Sequence, residues 1–68
     1  MINLHQKYNH YLNNPKKKLD GVHGIQESLL AYGWTDDGKD LTGYYLITEN
    51  HTIYYDIYGQ YLKKHKND

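Results

Sequence analysis

The chain has 68 residues, which is enough for one small domain and no more. It contains no cysteine, so disulfide frameworks, thiolate metal sites and cysteine nucleophiles are excluded. Eight lysines and eight acidic residues cancel at pH 7, so the net charge favours neither a general polyanion binder nor an acidic DNA mimic.

The compartment is predicted from the absence of apolar runs. The N-terminal residues lack the apolar core of a signal peptide, and the longest apolar stretch, residues 44–47, is far shorter than the ~20 residues that span a bilayer. We therefore expect a cytoplasmic protein without a membrane partner. The use of lysine in place of arginine, with many Asn, Tyr and Ile residues, is typical of an AT-rich coding sequence such as that of a low-GC bacterium or its mobile elements.

The first third of the chain has helical periodicity. Four apolar residues recur at the spacing of one helical face: Leu4, Tyr8, Tyr11 and Leu12. They predict a helix over about residues 4–12, with Asn3 as its N-cap and Asn13-Asn14-Pro15 as its end.

A second helix is predicted over about residues 24–32. Its apolar face consists of Val22, Ile25, Leu29 and Tyr32, and the preceding Leu19-Asp20-Gly21 is interpreted as a turn. Gly33 follows the last apolar residue and is a natural helix terminator. Trp34 is expected to cover the core, because it has the largest side chain in the sequence.

The second half of the chain changes to β-forming residues with a period of two. Residues 36–40 predict a hairpin tip, and three strands are predicted over residues 42–48, 52–58 and 60–64. Connections this short require antiparallel neighbours. The sequence thus predicts one α+β domain over residues 1–68, with two short N-terminal helices packed on a three-stranded antiparallel β-meander.

The register of the central hairpin has two alternatives in the sequence. A two-residue turn at Asn50-His51 pairs Leu46 with Tyr55, whereas a three-residue loop over residues 49–51 pairs Tyr45 with Tyr55. In both, Ile53, Tyr55 and Ile57 share the buried face together with Leu29 and Trp34. Tyr54, Asp56 and Tyr58 share the other face, which is the solvent side because an unpaired carboxylate is costly to bury.

Metal sites and catalysis are not predicted. The five histidines lack metal-ligand spacing, and no Glu completes a calcium loop starting in the acidic stretch over residues 36–40. Ser28 is the only serine and has no nucleophile elbow around it, and Gly21 and Gly24 are too weak a signal for a phosphate loop. We expect no cofactor and no enzymatic activity.

Nine tyrosines against no phenylalanine are the strongest functional signal. Tyrosine offers a large, rigid contact area and is enriched at protein interfaces. The leading hypothesis is a small non-catalytic binding protein that occludes a protein partner through Tyr54, Asp56 and Tyr58. Accessory proteins of phages and plasmids share this profile of a short, cofactor-free chain.

Two alternatives remain open. Two lysine clusters with interleaved tyrosines could contact single-stranded nucleic acid; they are Lys16, Lys17 and Lys18, and Lys63, Lys64 and Lys66. The absence of arginine and the balanced charge count against that interpretation. The other alternative is a homodimer joined through the solvent face of the sheet, which would enlarge a small core.

Overall fold

The computed structural model describes residues 3–14, 16–22 and 24–67, and over these residues the chain is mostly β structure. Its elements are α1 (Leu4–Leu12), β1 (Lys18–Val22), β2 (Ile25–Asp36), β3 (Leu41–Thr48), β4 (His51–Asp56) and β5 (Tyr61–Lys66). The strands form one curled antiparallel sheet in the order β1-β2-β3-β4-β5. The predicted fold of two helices on a three-stranded meander is therefore wrong.

Helix α1 confirms the first predicted element. The side chain of Asn3 caps it by accepting a hydrogen bond from the backbone N–H of Gln6 at 3.0 Å. Leu4 and Tyr8 are buried against the sheet, as the helical periodicity requires. Pro15 lies outside the described residues. Within the described part of the chain, no helix is long and apolar enough to cross a membrane.

The predicted second helix is a strand, β2, and a β-bulge explains the error. The pairing of β2 with β3 shifts by one residue between Leu29 and Ala31, at Leu30. Because of this shift, Leu29 and Tyr32 contact the same core although they are three residues apart. A spacing of three within a bulged strand is indistinguishable, in sequence, from the spacing of a helical face.

Two predictions that rest on glycine residues are wrong. The segment Leu19-Asp20-Gly21 lies within β1 and is not a turn. Gly33 is an interior residue of β2 and terminates no helix.

The acidic stretch over residues 36–40 does form the predicted hairpin tip, between β2 and β3. In this tip, Gly38 has a backbone φ angle of +92°, which residues other than glycine rarely adopt.

The hairpin of β3 and β4 is confirmed, but its turn is Glu49-Asn50. Tyr44 pairs with Tyr55 and Leu46 pairs with Ile53, so both predicted registers are wrong. The core face of β3 is nevertheless the one that the two-residue turn predicts, with Tyr44 and Leu46 fully buried. Beyond Asp56 the predicted strand ends, because the following residues form the turn to β5.

The core lies between α1 and one face of the sheet, which we call the inner face. Its buried residues are Leu4, Tyr8, Leu19, Leu29, Tyr44, Leu46, Ile53 and Tyr55. The Tyr44 and Tyr55 rings stack with centroids 4.8 Å apart, and Trp34 lies half-buried with its ring edge-on to Tyr44. Leu29, Ile53 and Tyr55 are thus buried as predicted, whereas Ile57 is only half-buried in the turn after β4.

Two tyrosine hydroxyls in this core, those of Tyr8 and Tyr55, have a raised pKa. The hydroxyl oxygens of Tyr8 and Tyr44 lie 3.4 Å apart, so each supplies the other with a hydrogen-bond partner. Burial, together with that hydrogen bond, raises the pKa of Tyr8 far above its usual range. Burial and the neighbouring Tyr44 and Tyr61 raise the pKa of Tyr55 to about 12. The Tyr8 and Tyr55 hydroxyls therefore keep their protons at an alkaline pH at which an ordinary tyrosine loses its own.

The contrast between Ile53 and Ile57 gives a test of the fold. Ile53 has no exposed surface, so Ile53→Ala should lower the free energy of unfolding by about 2–5 kcal/mol. Ile57→Ala should cost only about 1 kcal/mol, because its side chain is already partly in water. Urea denaturation measures both, and equal losses for the two variants would contradict the end of β4 at Asp56.

Candidate functional site

The sheet has a second face, directed away from α1, which we call the outer face. Side chains alternate along a strand, so the neighbours of the buried inner-face residues point to this side. It is formed by Gly33, Tyr45, Ile47, Tyr54, Lys63 and His65. These residues come from four adjacent strands, β2 to β5.

One row of residues crosses all four strands on this face. Gly33 pairs with Tyr45, Tyr45 with Tyr54, and Tyr54 with Lys63. A Cβ atom added at Gly33 would lie 2.5 Å from the Tyr45 hydroxyl oxygen, so the Tyr45 ring lies over the bare glycine backbone. At the other end of the row, the Lys63 Nζ atom lies 5.0 Å from the centroid of the Tyr54 ring. Both tyrosine rings are thus held in place by their neighbours.

The outer face is uncovered within the described part of the chain. Helix α1 packs on β2 through the inner-face core, and the other main element contacts there are those between neighbouring strands. Tyr45, Ile47 and Tyr54 are each half-buried, because they shield one another while part of each side chain stays in contact with water. A partly apolar patch that spans adjacent strands is a candidate interaction site.

Asp56 and Tyr58 are placed differently from the prediction. Tyr58 lies in the turn after β4, where it is 80% exposed, so it does not extend the strand face from Tyr54. Asp56 Oδ1 accepts hydrogen bonds from the backbone N–H groups of Tyr58 and Gln60, each at 2.9 Å. Asp56 therefore holds the turn in which Tyr58 lies.

The two lysine clusters lie at opposite edges of the sheet. Lys18 begins β1 and its Nζ atom is 3.3 Å from Glu49 Oε1, while Lys17 lies over the ring of Tyr11 at 5.3 Å. Lys63, Lys64 and Lys66 lie on β5, beyond β4. β1 and β5 are the two edge strands of the sheet, with three strands between them. Only the β5 cluster adjoins the tyrosines of the outer face.

A second polar cluster surrounds Glu27 at the β3–β4 turn. Glu27 Oε1 accepts hydrogen bonds from the Thr48 hydroxyl at 2.7 Å and the Asn50 N–H at 2.8 Å. Glu27 Oε2 lies 2.9 Å from His51 Nδ1, which carries the proton because a carboxylate only accepts. Partial removal from water raises the pKa of Glu27, but the three hydrogen bonds outweigh it and hold the pKa below its ordinary value.

The same turn is held from two further directions. Glu49 Oε1 accepts a hydrogen bond from the backbone N–H of Ser28 at 2.9 Å, and this bond together with Lys18 lowers the pKa of Glu49. On the other side, the backbone N–H of Asn67 donates to the carbonyl oxygen of Asn50 at 2.8 Å. Glu27 on β2 thus binds the β3–β4 turn, and Glu49 in that turn binds the backbone of β2. The cluster is structural, since each charge in it is engaged within the fold.

No metal centre is found among the described residues, where no three His, Asp or Glu side chains converge. In the acidic hairpin tip, Asp37 Oδ1 accepts hydrogen bonds from the backbone N–H groups of Lys39 and Asp40 at 3.0 and 2.9 Å. These bonds lower the pKa of Asp37. The carboxylates of the tip thus form the turn itself. His23 lies outside the described residues.

The sequence predicts Tyr54 on the solvent face and allows either Tyr45 with Ile47 or Tyr44 with Leu46 beside it, but it does not predict the role of Gly33. Tyr45 was left on either face, because the register of the hairpin was open. Gly33 carried no signal of its role, since the ring that covers it comes from another strand. Glu27 was not recognised either, because its partners lie more than 20 residues away in the sequence.

No protein-family model matches the chain, and no match was found among the curated proteins or the solved structures.

The packing of Tyr45 on Gly33 gives a test of the outer face. Gly33→Ala should lower the free energy of unfolding by about 1–3 kcal/mol, because the new methyl group displaces the Tyr45 ring. In a Tyr45→Ala background the same substitution should be neutral or stabilising, since alanine suits a strand better than glycine. Tyr54→Ala is the matched control, whose ring does not cover Gly33. Equal costs of Gly33→Ala in all three backgrounds would contradict the contact.

The Glu27 cluster gives a pH-dependent test. Its carboxylate has a lowered pKa in the folded state, so its contribution is fully present above the ordinary value of 4.5 and is lost as the pH falls through the folded-state value. Glu27→Gln should therefore lower the free energy of unfolding by about 1–3 kcal/mol at neutral pH. The difference in this free energy between the variant and the parent should shrink as the pH falls below 4.5. Urea denaturation at a series of pH values measures this, and a difference that does not change with pH would contradict the ionised cluster.

Proposed function

We propose that this chain is a small non-catalytic binding protein that occludes a protein partner through its outer face. The observation that carries the proposal is the cross-strand pair of Tyr45 and Tyr54, half-exposed on the side of the sheet opposite α1. The use of lysine in place of arginine is typical of an AT-rich coding sequence. For a chain of this size, a binding role without a cofactor is typical of accessory proteins encoded by phages or other mobile elements.

The rigidity of the tyrosine pair supports a role at an interface. Binding costs free energy when flexible side chains become ordered, and this cost is small for rings that are already held. Tyr45 lies over Gly33 and Tyr54 contacts Lys63, so both rings are positioned before a partner arrives. Large, pre-ordered aromatic side chains with a polar tip are the usual centres of protein–protein binding energy.

Tyr58 and Asp56 extend the proposed interface at the β4–β5 turn. Tyr58 offers an almost completely exposed ring, and the carboxylate of Asp56 fixes the backbone that carries it. In this proposal Tyr54 and Tyr58 contact the partner, whereas Asp56 positions Tyr58. The proposal includes no catalytic step and no cofactor.

A second candidate function is the binding of single-stranded nucleic acid. It is favoured by one contact, that of the Lys63 ammonium group with the Tyr54 ring, since stacked bases and phosphates require aromatic and cationic groups side by side. Two lysines of the other cluster have partners away from the outer-face tyrosines: Lys17 lies over the Tyr11 ring and Lys18 contacts Glu49. With the β5 lysines alone, this candidate has less support than a protein partner.

The test is capture of a partner from a low-GC bacterial lysate, with and without nuclease, followed by titration of the purified partner. Tyr54→Ala should weaken binding by about 2 kcal/mol or more, roughly 30-fold, and Tyr58→Ala should weaken it without changing the melting temperature. Lys39→Ala, on the hairpin tip, is the control and should bind normally.

Three outcomes would count against the proposal. A partner that is lost on nuclease treatment, with an affinity that falls steeply with salt, would assign the face to nucleic acid. Concentration-dependent self-association that Tyr54→Ala abolishes would assign it to a homodimer. Unchanged partner affinity in both tyrosine variants would exclude the outer face altogether.

A further inference from the structure

The free edge of β5 is a surface distinct from the outer face. All six residues of β5 are exposed, and among the described strands β5 pairs with β4 alone. Its register with β4 is regular from Lys63 to Lys66, whereas the register of the opposite edge strand, β1, is interrupted between Leu19 and Val22. The regular end of β5 therefore presents a straight edge of backbone to solvent.

One hydrogen bond fixes which backbone groups point to that edge. The N–H of Asn67 donates to the carbonyl oxygen of Asn50, so these two residues form a hydrogen-bonded pair at the end of the β4–β5 ladder. Such pairs alternate along an antiparallel ladder, so His51 and Lys66 form a non-hydrogen-bonded pair. The N–H and C=O of Lys66 therefore point away from β4, and those of His65 point towards it.

The charge of this edge selects what can pair with it. Lys63, Lys64 and Lys66 lie within six residues, and residues 61–67 contain no carboxylate. Lysines on an edge strand disfavour pairing with a second copy, because an antiparallel β5 pair would oppose lysine to lysine. The same lysines favour an extended segment that carries carboxylates. Exclusion of one partner and attraction of another are two effects of a single charge pattern.

We propose that the β5 edge accepts an extended acidic segment of another protein by strand addition. The backbone of Lys66 supplies hydrogen bonds to the added strand. The ammonium group of Lys66, which lies on the opposite face of the sheet from Lys63, faces a carboxylate of that strand. Lys64 has a further contact within the chain, so the test uses Lys66. Lys63 belongs to the outer face, where it contacts Tyr54, whereas the backbone and the ammonium group of Lys66 belong to the edge alone, so this inference stands or fails independently of the proposed function.

The probe is a fluorescent eight-residue peptide of alternating Thr and Glu, with its termini blocked, whose binding to the full chain is measured by fluorescence anisotropy. Lys66→Pro removes the outward N–H but no hydrogen bond to β4, so the fold is kept. Lys66→Gln removes the same charge and keeps the N–H. We expect Lys66→Gln to weaken binding by about two- to fivefold, and Lys66→Pro by about tenfold or more.

Further arms separate strand addition from a general attraction of charges. A peptide of alternating Thr and Lys should not bind. N-methylation of the acidic peptide at the alternate residues whose N–H groups point to β5 should abolish binding, whereas N-methylation at the other alternate residues should not. Equal binding by Lys66→Pro and Lys66→Gln, or by the methylated and unmethylated peptides, would overturn strand addition. So would a failure of the acidic peptide to bind while an eight-nucleotide oligothymidine binds. If Lys66→Pro does not fold, the methylated peptides decide the question with the unaltered protein.

Discussion

The structure depends on one constraint: a single short helix must shield a five-stranded sheet. Helix α1 has nine residues, so it is about 14 Å long, and its main contacts are with one strand, β2. The helix therefore covers part of one face and none of the other. The inner face compensates by dense packing, with Tyr44, Leu46 and Ile53 fully removed from water. The outer face is left to residues that tolerate partial exposure.

Tyrosine suits both faces, which explains why the chain can do without phenylalanine. Tyr44 and Tyr45 are neighbours on β3, and their side chains point to opposite faces. On the inner face, the hydroxyl of Tyr44 is paired with that of Tyr8. On the outer face, the hydroxyl of Tyr45 reaches over Gly33 to the solvent-accessible side of the sheet. The same residue type thus supplies apolar area to the core and an aromatic surface to the exterior.

The sequence predicts the elements whose signals are local. Helix α1 has its cap and its apolar face within ten residues, and the acidic hairpin tip over residues 36–40 has its turn residues next to one another. The errors arise where the signal comes from another strand. The bulge at Leu30 shifts the phase of β2 and imitates helical spacing, and the β3–β4 register is fixed by Glu27, which binds Thr48, Asn50 and His51. Neither effect is visible in the few residues around it.

The candidate site follows the same division. Tyr54 could be placed on an exposed face because it alternates with Ile53 and Tyr55 in one strand, and the structure keeps that alternation. Its partners Tyr45 and Lys63 depend on the registers of two hairpins. Tyr58 was misplaced because Asp56 binds the backbone N–H of Tyr58 and Gln60 and so ends the strand. A carboxylate that looks like an interface group in sequence is here part of a turn.

The balanced net charge conceals an unequal use of the two signs. Carboxylates accept backbone hydrogen bonds throughout the fold, as Glu27, Asp37 and Glu49 do at two of the turns. Their charge is therefore partly neutralised by the protein's own N–H groups. The lysines of β5 point outward from an edge strand that contains no carboxylate. A partner that approaches β5 consequently meets a positive local field, although the chain as a whole is neutral.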